Sequence, residues 1–144
     1  MFKSILVPLD GSGYSEQALA TGLELARLTG AKVSLVTVVL GYKDAHVPAV
    51  ARLDEQTRRR AEAYLQPFLD QARSAGFDVT AGVWHGEPAD EILAGARASQ
   101  ADLIVMSTHG MGSEGRHALG SVSLKVLQSA DCPVLLVRIG GAKA

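Results

Sequence analysis

The sequence predicts an α/β fold: a single open sheet of five parallel strands with helices on both faces. Five short apolar runs alternate with helical patterns along the 144 residues. The runs are apolar nearly throughout, which is typical of strands that are covered on both sides. Since crossovers between parallel strands are right-handed, this alternation places helices on both faces of the sheet. A chain of this length is expected to form one domain with one core.

The first strand is predicted to start at Ile5 and to end at Pro8-Leu9-Asp10. Ser15 is then placed to cap a helix in which small residues recur every four positions. Gly30 is placed to end that helix. The second strand is predicted over residues 33–39.

An irregular connection over residues 40–52 leads into a charged helix over residues 53–74. Pro67 lies inside this helix and predicts a kink or break, because proline lacks the backbone N–H and crowds the preceding turn. The third strand is predicted over residues 77–84, and Pro88 is expected at the first position of the next helix.

The fourth strand is predicted over residues 102–106, a last helix to about Ala130, and the fifth strand over residues 133–137. Residues 1–139 are therefore expected to form the domain, and residues 140–144 a loose tail.

Composition argues against several classes of partner and location. Lys and Arg total 14 against 15 acidic residues, so the net charge of −1 gives no basic field for nucleic acid or anionic lipid. The first apolar run is short and ends at Asp10, so no signal peptide is expected, and no segment approaches the length of a membrane span. Cys132 is the only cysteine and excludes an intrachain disulfide, which favours a reducing cytoplasm.

The most informative segment is Ser107–Ser123, which runs from the fourth strand into the last helix. It contains four glycines, which leave backbone N–H groups uncovered: Gly110, Gly112, Gly115 and Gly120. Ser121 adds a hydroxyl where the helix begins. Free amides that lead into a helix N-terminus predict a site for phosphate oxygens.

Two familiar nucleotide motifs fit this segment only in part. Gly110-x-Gly112-x-x-Gly115 has the spacing of a dinucleotide fingerprint, but it follows the fourth strand, and Asp131 precedes the next strand instead of ending it. Gly115-x4-Gly120-Ser121 resembles a P-loop without the lysine that reaches the β- and γ-phosphates. Both an NAD site and a P-loop NTPase are therefore disfavoured.

Asp10 is a second candidate, because ligands of open α/β sheets bind at the carboxyl ends of strands. Its carboxylate is suited to a ribose hydroxyl or to Mg²⁺, while the alternative is an Asx turn that closes on Gly11-Ser12. The four histidines form no pair with metal-ligand spacing, so the protein alone is expected to bind no metal. His109 is placed either to contact phosphate or to stabilise a turn.

The chain resembles the universal stress protein family over essentially its full length. The stretches that carry the resemblance are ILVPLDGS, LVTVV, GEPADEIL and STHG…GSVSLKVL…CPVLLVR. The ATP-binding branch carries G-x2-G-x9-G-[S/T]. Gly110, Gly120 and Ser121 match its second half, whereas Ser107 stands in place of the first glycine.

The resemblance implies a Rossmann-like sheet of order 3-2-1-4-5 and ATP as ligand, and Mg²⁺ could accompany ATP near Asp10. It implies that Asp10 and Val38 hold the adenosine, Val38 through its backbone. The ribose and phosphates are expected among Ser107, His109, Gly110, Gly120, Ser121, Val122 and Ser123.

The last strand, Val134–Val137, would be an apolar edge in this order, and an uncovered edge favours pairing with a second copy. The resemblance also implies a homodimer through this strand. The expected function is an ATP-dependent stress-response module that acts on an unknown protein partner, with at most slow hydrolysis or autophosphorylation on Ser121 or Ser123. The alternatives are a nucleotide-free dimeric scaffold, which Ser107 favours, and an adenylyl-transfer enzyme, which would need a catalytic cation near Asp10.

Overall fold

The computed structural model describes residues 1–41, 46–109 and 119–138. Strands and helices alternate through these residues in the order β1 (Ser4–Pro8), α1 (Gly13–Thr29), β2 (Lys32–Val39), α2 (Pro48–Ser74), β3 (Val79–His85), α3 (Pro88–Ala98), β4 (Leu103–Ser107), α4 (Ser121–Ser129) and β5 (Val134–Val137). The strands form one parallel sheet of order β3-β2-β1-β4-β5. The expected fold class and strand order are therefore confirmed.

The sheet separates two apolar layers, and β1 lies at its centre. Ile5, Leu6 and Val7 are completely inaccessible to solvent. Side chains of successive strand residues point to opposite faces, so Ile5 and Val7 pack with residues of α1 and α2, whereas Leu6 packs with residues of α3 and α4. Burial on both faces explains why this strand is apolar throughout.

The start of α1 differs from the expectation, because Ser12 and not Ser15 caps the helix. The Ser12 side chain accepts a hydrogen bond from the backbone N–H of Ser15 at 3.2 Å. Gly11 adopts a positive φ of 88°, so the chain turns directly after β1 and the helix begins at Gly13. The expected end of the helix at Gly30 is confirmed by its left-handed backbone, with φ of 75°.

The helix α2 also begins earlier than expected, at Pro48 instead of residue 53. Val47 precedes it without a side-chain capping bond, so no capping residue marks this start in the sequence. The prediction of a break at Pro67 was wrong, since one helix continues to Ser74. Because proline has no N–H, the carbonyl of Ala63 lacks its usual hydrogen bond within the helix. Ala63 and Pro67 are both exposed, so water can bond to that carbonyl.

The helix α3 approaches the sheet very closely at Gly95. A Cβ atom at this position would lie 1.8 Å from Cη2 of Trp84, which projects from β3. Only a residue without a side chain can therefore occupy this position while the indole keeps its place. This contact determines how closely α3 packs on the sheet. It therefore also determines where the first turns of α3 lie in the wall of the crevice described below.

At the end of the sheet away from this crevice, the carboxylate of Asp102 links the start of β4 to the start of β1. It accepts backbone hydrogen bonds from Lys3 at 2.8 Å and from Ser4 at 3.0 Å. Burial opposes ionisation, but the hydrogen bonds from Ser4 and Lys3 prevail and hold the pKa of Asp102 below its ordinary value. These bonds fix the register between β1 and β4, the two strands whose far ends form the candidate site.

Candidate functional site

The candidate site is a crevice at the carboxyl ends of β1 and β4. Strand order reverses here, because β1 has β2 on one side and β4 on the other. Open α/β sheets bind ligands at such a point. A cavity of about 270 Å³ opens there, lined by Pro8, Leu9, Asp10, Ser15, Val36, Val38, Pro88, Ile92, Met106, Ser107, His109, Gly120, Ser121, Val122 and Ser123.

Asp10 occupies the turn between β1 and α1. Its Oδ1 accepts hydrogen bonds from the backbone N–H of Ser12, at 2.9 Å, and from the Ser12 hydroxyl. Its own N–H donates to Oγ of Ser15 at 3.2 Å. The Asx turn considered as an alternative is therefore present, and the same residue also lines the cavity. The turn orients the carboxylate, so the two roles are compatible.

Val38 contributes its backbone as well as its side chain. The last bond between β1 and β2 runs from the N–H of Leu9 to the carbonyl of Val36, at 2.7 Å. Backbone groups of successive strand residues point to alternate neighbours, so those of Val38 point to the β1 side, as those of Val36 do. The paired register of β1 ends at Pro8, opposite Val36. The N–H and carbonyl of Val38 therefore face the crevice beyond the end of β1.

Several hydrogen bonds hold the chain where it leaves β4, at Ser107, Thr108 and His109. The Ser107 hydroxyl donates to the carbonyl of His109. The Thr108 N–H donates to the carbonyl of Val137 at 3.2 Å, and its own carbonyl accepts from the N–H of Gly120 at 2.9 Å. These hydrogen bonds connect the segment after β4 to the end of β5 and to the start of α4.

The helix α4 directs its N-terminus at the same crevice. Gly120 is its N-cap and offers no side chain to cap the amides of the first turn, which belong to Ser121, Val122 and Ser123. The Ser123 hydroxyl donates to the carbonyls of Ser107 at 2.9 Å and Thr108 at 3.1 Å, and that side chain is buried. Ser121 is exposed. The helix dipole and the uncapped amides favour an anion at this end.

The rest of the cavity wall is apolar. It comprises Pro8, Leu9, Val36, Val38, Pro88, Ile92 and Met106. Asp10 is the only carboxylate, and no lysine or arginine occurs, among the described lining residues. The crevice therefore combines an apolar slot with a neutral, amide-rich end.

Every predicted site residue within the described ranges lines this one cavity: Asp10, Val38, Ser107, His109, Gly120, Ser121, Val122 and Ser123. Gly110 lies outside the described residues. Sequence reasoning missed Pro88 and Ile92, which α3 contributes to the wall. The local pattern around Pro88 indicates only the start of a helix, whereas its place in the cavity wall arises from the fold.

Two kinds of feature are absent from the part of the chain that the structure describes. No cluster of three or more His, Cys, Asp or Glu side chains with the spacing of a metal site occurs there. Within the same ranges, no helix has both the length and the apolar character needed to span a bilayer.

Comparison with known proteins connects this geometry to a family. The sequence model of the Universal stress protein family matches residues 1–138. The chain belongs to the universal stress protein family. A universal stress protein from Thermus aquaticus, encoded in the QAH/OAS sulfhydrylase 3' region, is 37% identical to it over 144 residues, which cover 96% of this chain and 100% of the relative.

Solved universal stress proteins share the fold. UspA from Lactobacillus plantarum superposes with a TM-score of 0.84 at 24% identity, covering 94% of this chain and 97% of its own. A universal stress protein in complex with cAMP has a TM-score of 0.65 at 26% identity, covering 95% and 97%. One from Archaeoglobus fulgidus in complex with dAMP has a TM-score of 0.64 at 25% identity, covering 93% and 96%.

Proposed function

We propose that this universal stress protein binds ATP in the crevice and acts as a nucleotide-dependent regulatory module of the stress response. The observation that carries the proposal is the two-part cavity at the strand-order reversal, with an apolar slot beside the uncapped N-terminus of α4. A nucleotide has the same two parts, a flat base and a charged phosphate chain. The complexes of two solved family members with cAMP and dAMP support an adenine nucleotide as ligand.

In the proposed complex, adenine occupies the apolar slot and bonds to the backbone groups of Val38. The carboxylate of Asp10 accepts from a ribose hydroxyl. The phosphates lie at the amides of Ser121, Val122 and Ser123, with Gly110 on the connecting loop. Ser107 is compatible with this arrangement because its hydroxyl is engaged with the carbonyl of His109.

The proposed mechanism is conformational. Nucleotide bound beside Ser107 and Gly120 is proposed to order the loop that joins them, of which residues 110–118 lie outside the described part of the chain, and thereby to change the surface offered to a protein partner. Such a shift requires that ATP bind one arrangement more tightly than the other. Mg²⁺ would accompany the phosphates, since it keeps several waters and binds phosphate oxygens directly.

The lining residues favour binding over rapid turnover. Efficient phosphoryl transfer relies on cationic groups that stabilise the transferring phosphate, and the described lining contains no lysine or arginine. If autophosphorylation occurs, Ser121 is the more accessible acceptor, because Ser123 is buried with its hydroxyl bonded to backbone carbonyls.

The proposal is tested by denaturing the purified protein and identifying released small molecules by mass spectrometry, together with a thermal shift on adding ATP and Mg²⁺. Released ATP, or a saturable rise in melting temperature, is the expected result. An empty protein whose melting temperature does not respond to ATP would refute nucleotide binding.

Replacing Asp10 with alanine is expected to weaken ATP binding by roughly tenfold, as expected for the loss of a hydrogen bond to a charged group. Binding of inorganic triphosphate should change less, because it has no ribose. The variant Asp10→Asn is the control, since its amide oxygen can still accept from Ser12 and keep the turn. Titration calorimetry measures both ligands, and equal losses for ATP and triphosphate would show that Asp10 does not contact the nucleoside.

A second proposal concerns the assembly of two copies of the chain. It applies equally to the alternative function, a nucleotide-free dimeric scaffold. The strand β5 forms one edge of the sheet. Leu135 on this strand is exposed, as are Leu124 and Leu127 on α4. We propose that two copies pair along β5 and cover these side chains. An apolar edge of this kind otherwise invites aggregation.

Replacing Leu135 with glutamate is expected to convert the dimer into monomers, because like charges would face each other across the twofold axis. Sedimentation velocity of the wild-type and variant proteins at equal concentration measures the change, with Leu28→Glu as the control for an exposed leucine on α1. A monomeric wild-type protein, or a Leu135→Glu variant that remains dimeric, would contradict pairing through β5.

A further inference from the structure

His109 carries a ring nitrogen that its surroundings leave unsatisfied. The residue lines the crevice directly after β4. Its Nδ1 lies 3.1 Å from Oγ1 of Thr108. Its Nε2 is shielded from solvent and has no hydrogen-bond partner among the residues that the structure describes. A shielded polar atom of this kind raises the free energy of the state that contains it.

The ring is held in place from several directions. Thr108, which contacts Nδ1, is itself buried. The ring of Tyr14, at the start of α1, lies 6.4 Å away between centroids and is tilted by 53°. The backbone carbonyl of His109 accepts from the Ser107 hydroxyl. The unsatisfied nitrogen therefore belongs to an ordered wall of the crevice.

The chemistry of a neutral imidazole defines what could satisfy it. One ring nitrogen donates and the other accepts. When the Thr108 hydroxyl donates to Nδ1, the proton lies on Nε2, which then needs an acceptor. An anionic oxygen is the strongest acceptor available to such a donor.

We propose that His109 is the phosphate-sensing residue of the crevice. In the tautomer that carries the proton on Nε2, this N–H has no acceptor without ligand; with nucleotide bound, it donates to a phosphate oxygen, while Thr108 and Tyr14 act as positioning residues that hold the ring. This inference rests on the proposed nucleotide function. That hydrogen bond contributes to the free energy of phosphate binding, because only the ligand-free state contains the unsatisfied nitrogen.

The test uses three substitutions of His109 in the full chain. Glutamine places an amide N–H near the position of Nε2, asparagine places one near Nδ1, and phenylalanine keeps the ring against Tyr14 but removes both nitrogens. Titration calorimetry with ATP and with adenosine separates phosphate recognition from recognition of the nucleoside. We expect His109→Phe and His109→Asn to lose roughly tenfold or more in affinity for ATP and His109→Gln to lose no more than about threefold, with adenosine binding unchanged in all three.

Thermal unfolding of the ligand-free proteins gives an independent readout. His109→Phe is expected to melt at the same temperature as the wild type or higher, because the unsatisfied nitrogen is gone. A lower melting temperature with parallel losses for ATP and adenosine would show that His109 only packs, and would overturn the inference. Unchanged ATP affinity in His109→Phe overturns the role of His109 alone, whereas a wild-type protein that does not bind ATP overturns the proposed function and this inference together.

Discussion

Replacing Gly120 with valine is expected to abolish ATP binding while leaving the fold intact. Gly120 lines the crevice at the point where the phosphates are proposed to lie. Its backbone, with φ of −66° and ψ of 162°, is one that valine adopts readily, so the substitution does not strain the chain. The two methyl groups of valine would fill space that the phosphates need. We expect a loss of at least about 100-fold in affinity by titration calorimetry, which is about 2.7 kcal/mol.

Gly120→Ala is the matched control. A Cβ atom at this position would lie 3.4 Å from the Thr108 carbonyl oxygen and 3.8 Å from Cα of His109, which is ordinary contact. Alanine should therefore retain most of the affinity, and both variants should melt close to the wild-type temperature. If valine binds ATP as tightly as alanine does, the phosphates do not lie beside Gly120.

Replacing Gly95 with alanine is expected to destabilise the protein, even though alanine is the better helix former by about 1 kcal/mol. The added methyl group would lie 1.8 Å from the indole of Trp84, so the ring or the whole of α3 must move. Overpacking of this kind costs about 1–3 kcal/mol. Urea unfolding should show a lower midpoint with an unchanged slope.

A double-mutant cycle identifies the cause. In a Trp84→Leu background, which removes the indole, Gly95→Ala should cost little or become favourable, and the coupling between the two sites should reach about 1–3 kcal/mol. Gly13→Ala is the control, because a Cβ atom there meets no other atom within 4 Å. A full cost of Gly95→Ala without the indole would assign the effect to some other contact.

The sequence predicted the class of fold well because burial on both faces leaves a clear pattern. The run around Ile5 is apolar at every position, and the structure excludes solvent from it completely. The start of α1 was harder to predict. Ser12 and Ser15 are equally suitable caps by residue type, and the choice depends on the turn that Asp10 and Gly11 form after β1.

The candidate site likewise contains some residues that local sequence patterns predict and others that they do not. Gly120 and Ser121 were found from their local motif, because a glycine and a serine at a helix start have a chemical meaning that needs no tertiary context. The direction of the Val38 backbone follows from the register with β1, which no local pattern encodes. Ile92 joins the wall because Gly95 brings α3 close to the sheet, and this depends on a contact with Trp84 on another element.

The central position of β1 has a consequence for synthesis on the ribosome. One side of this strand pairs with β2, which follows soon after it, but Ile5 on the other side pairs with Leu103. Most of the chain must therefore emerge before the second side of β1 is covered. Until then a nascent chain exposes a bare apolar strand edge, which is a template for pairing with other chains. The central strand of the finished sheet thus keeps one edge uncovered until β4 has been made, although β1 is the first strand to emerge.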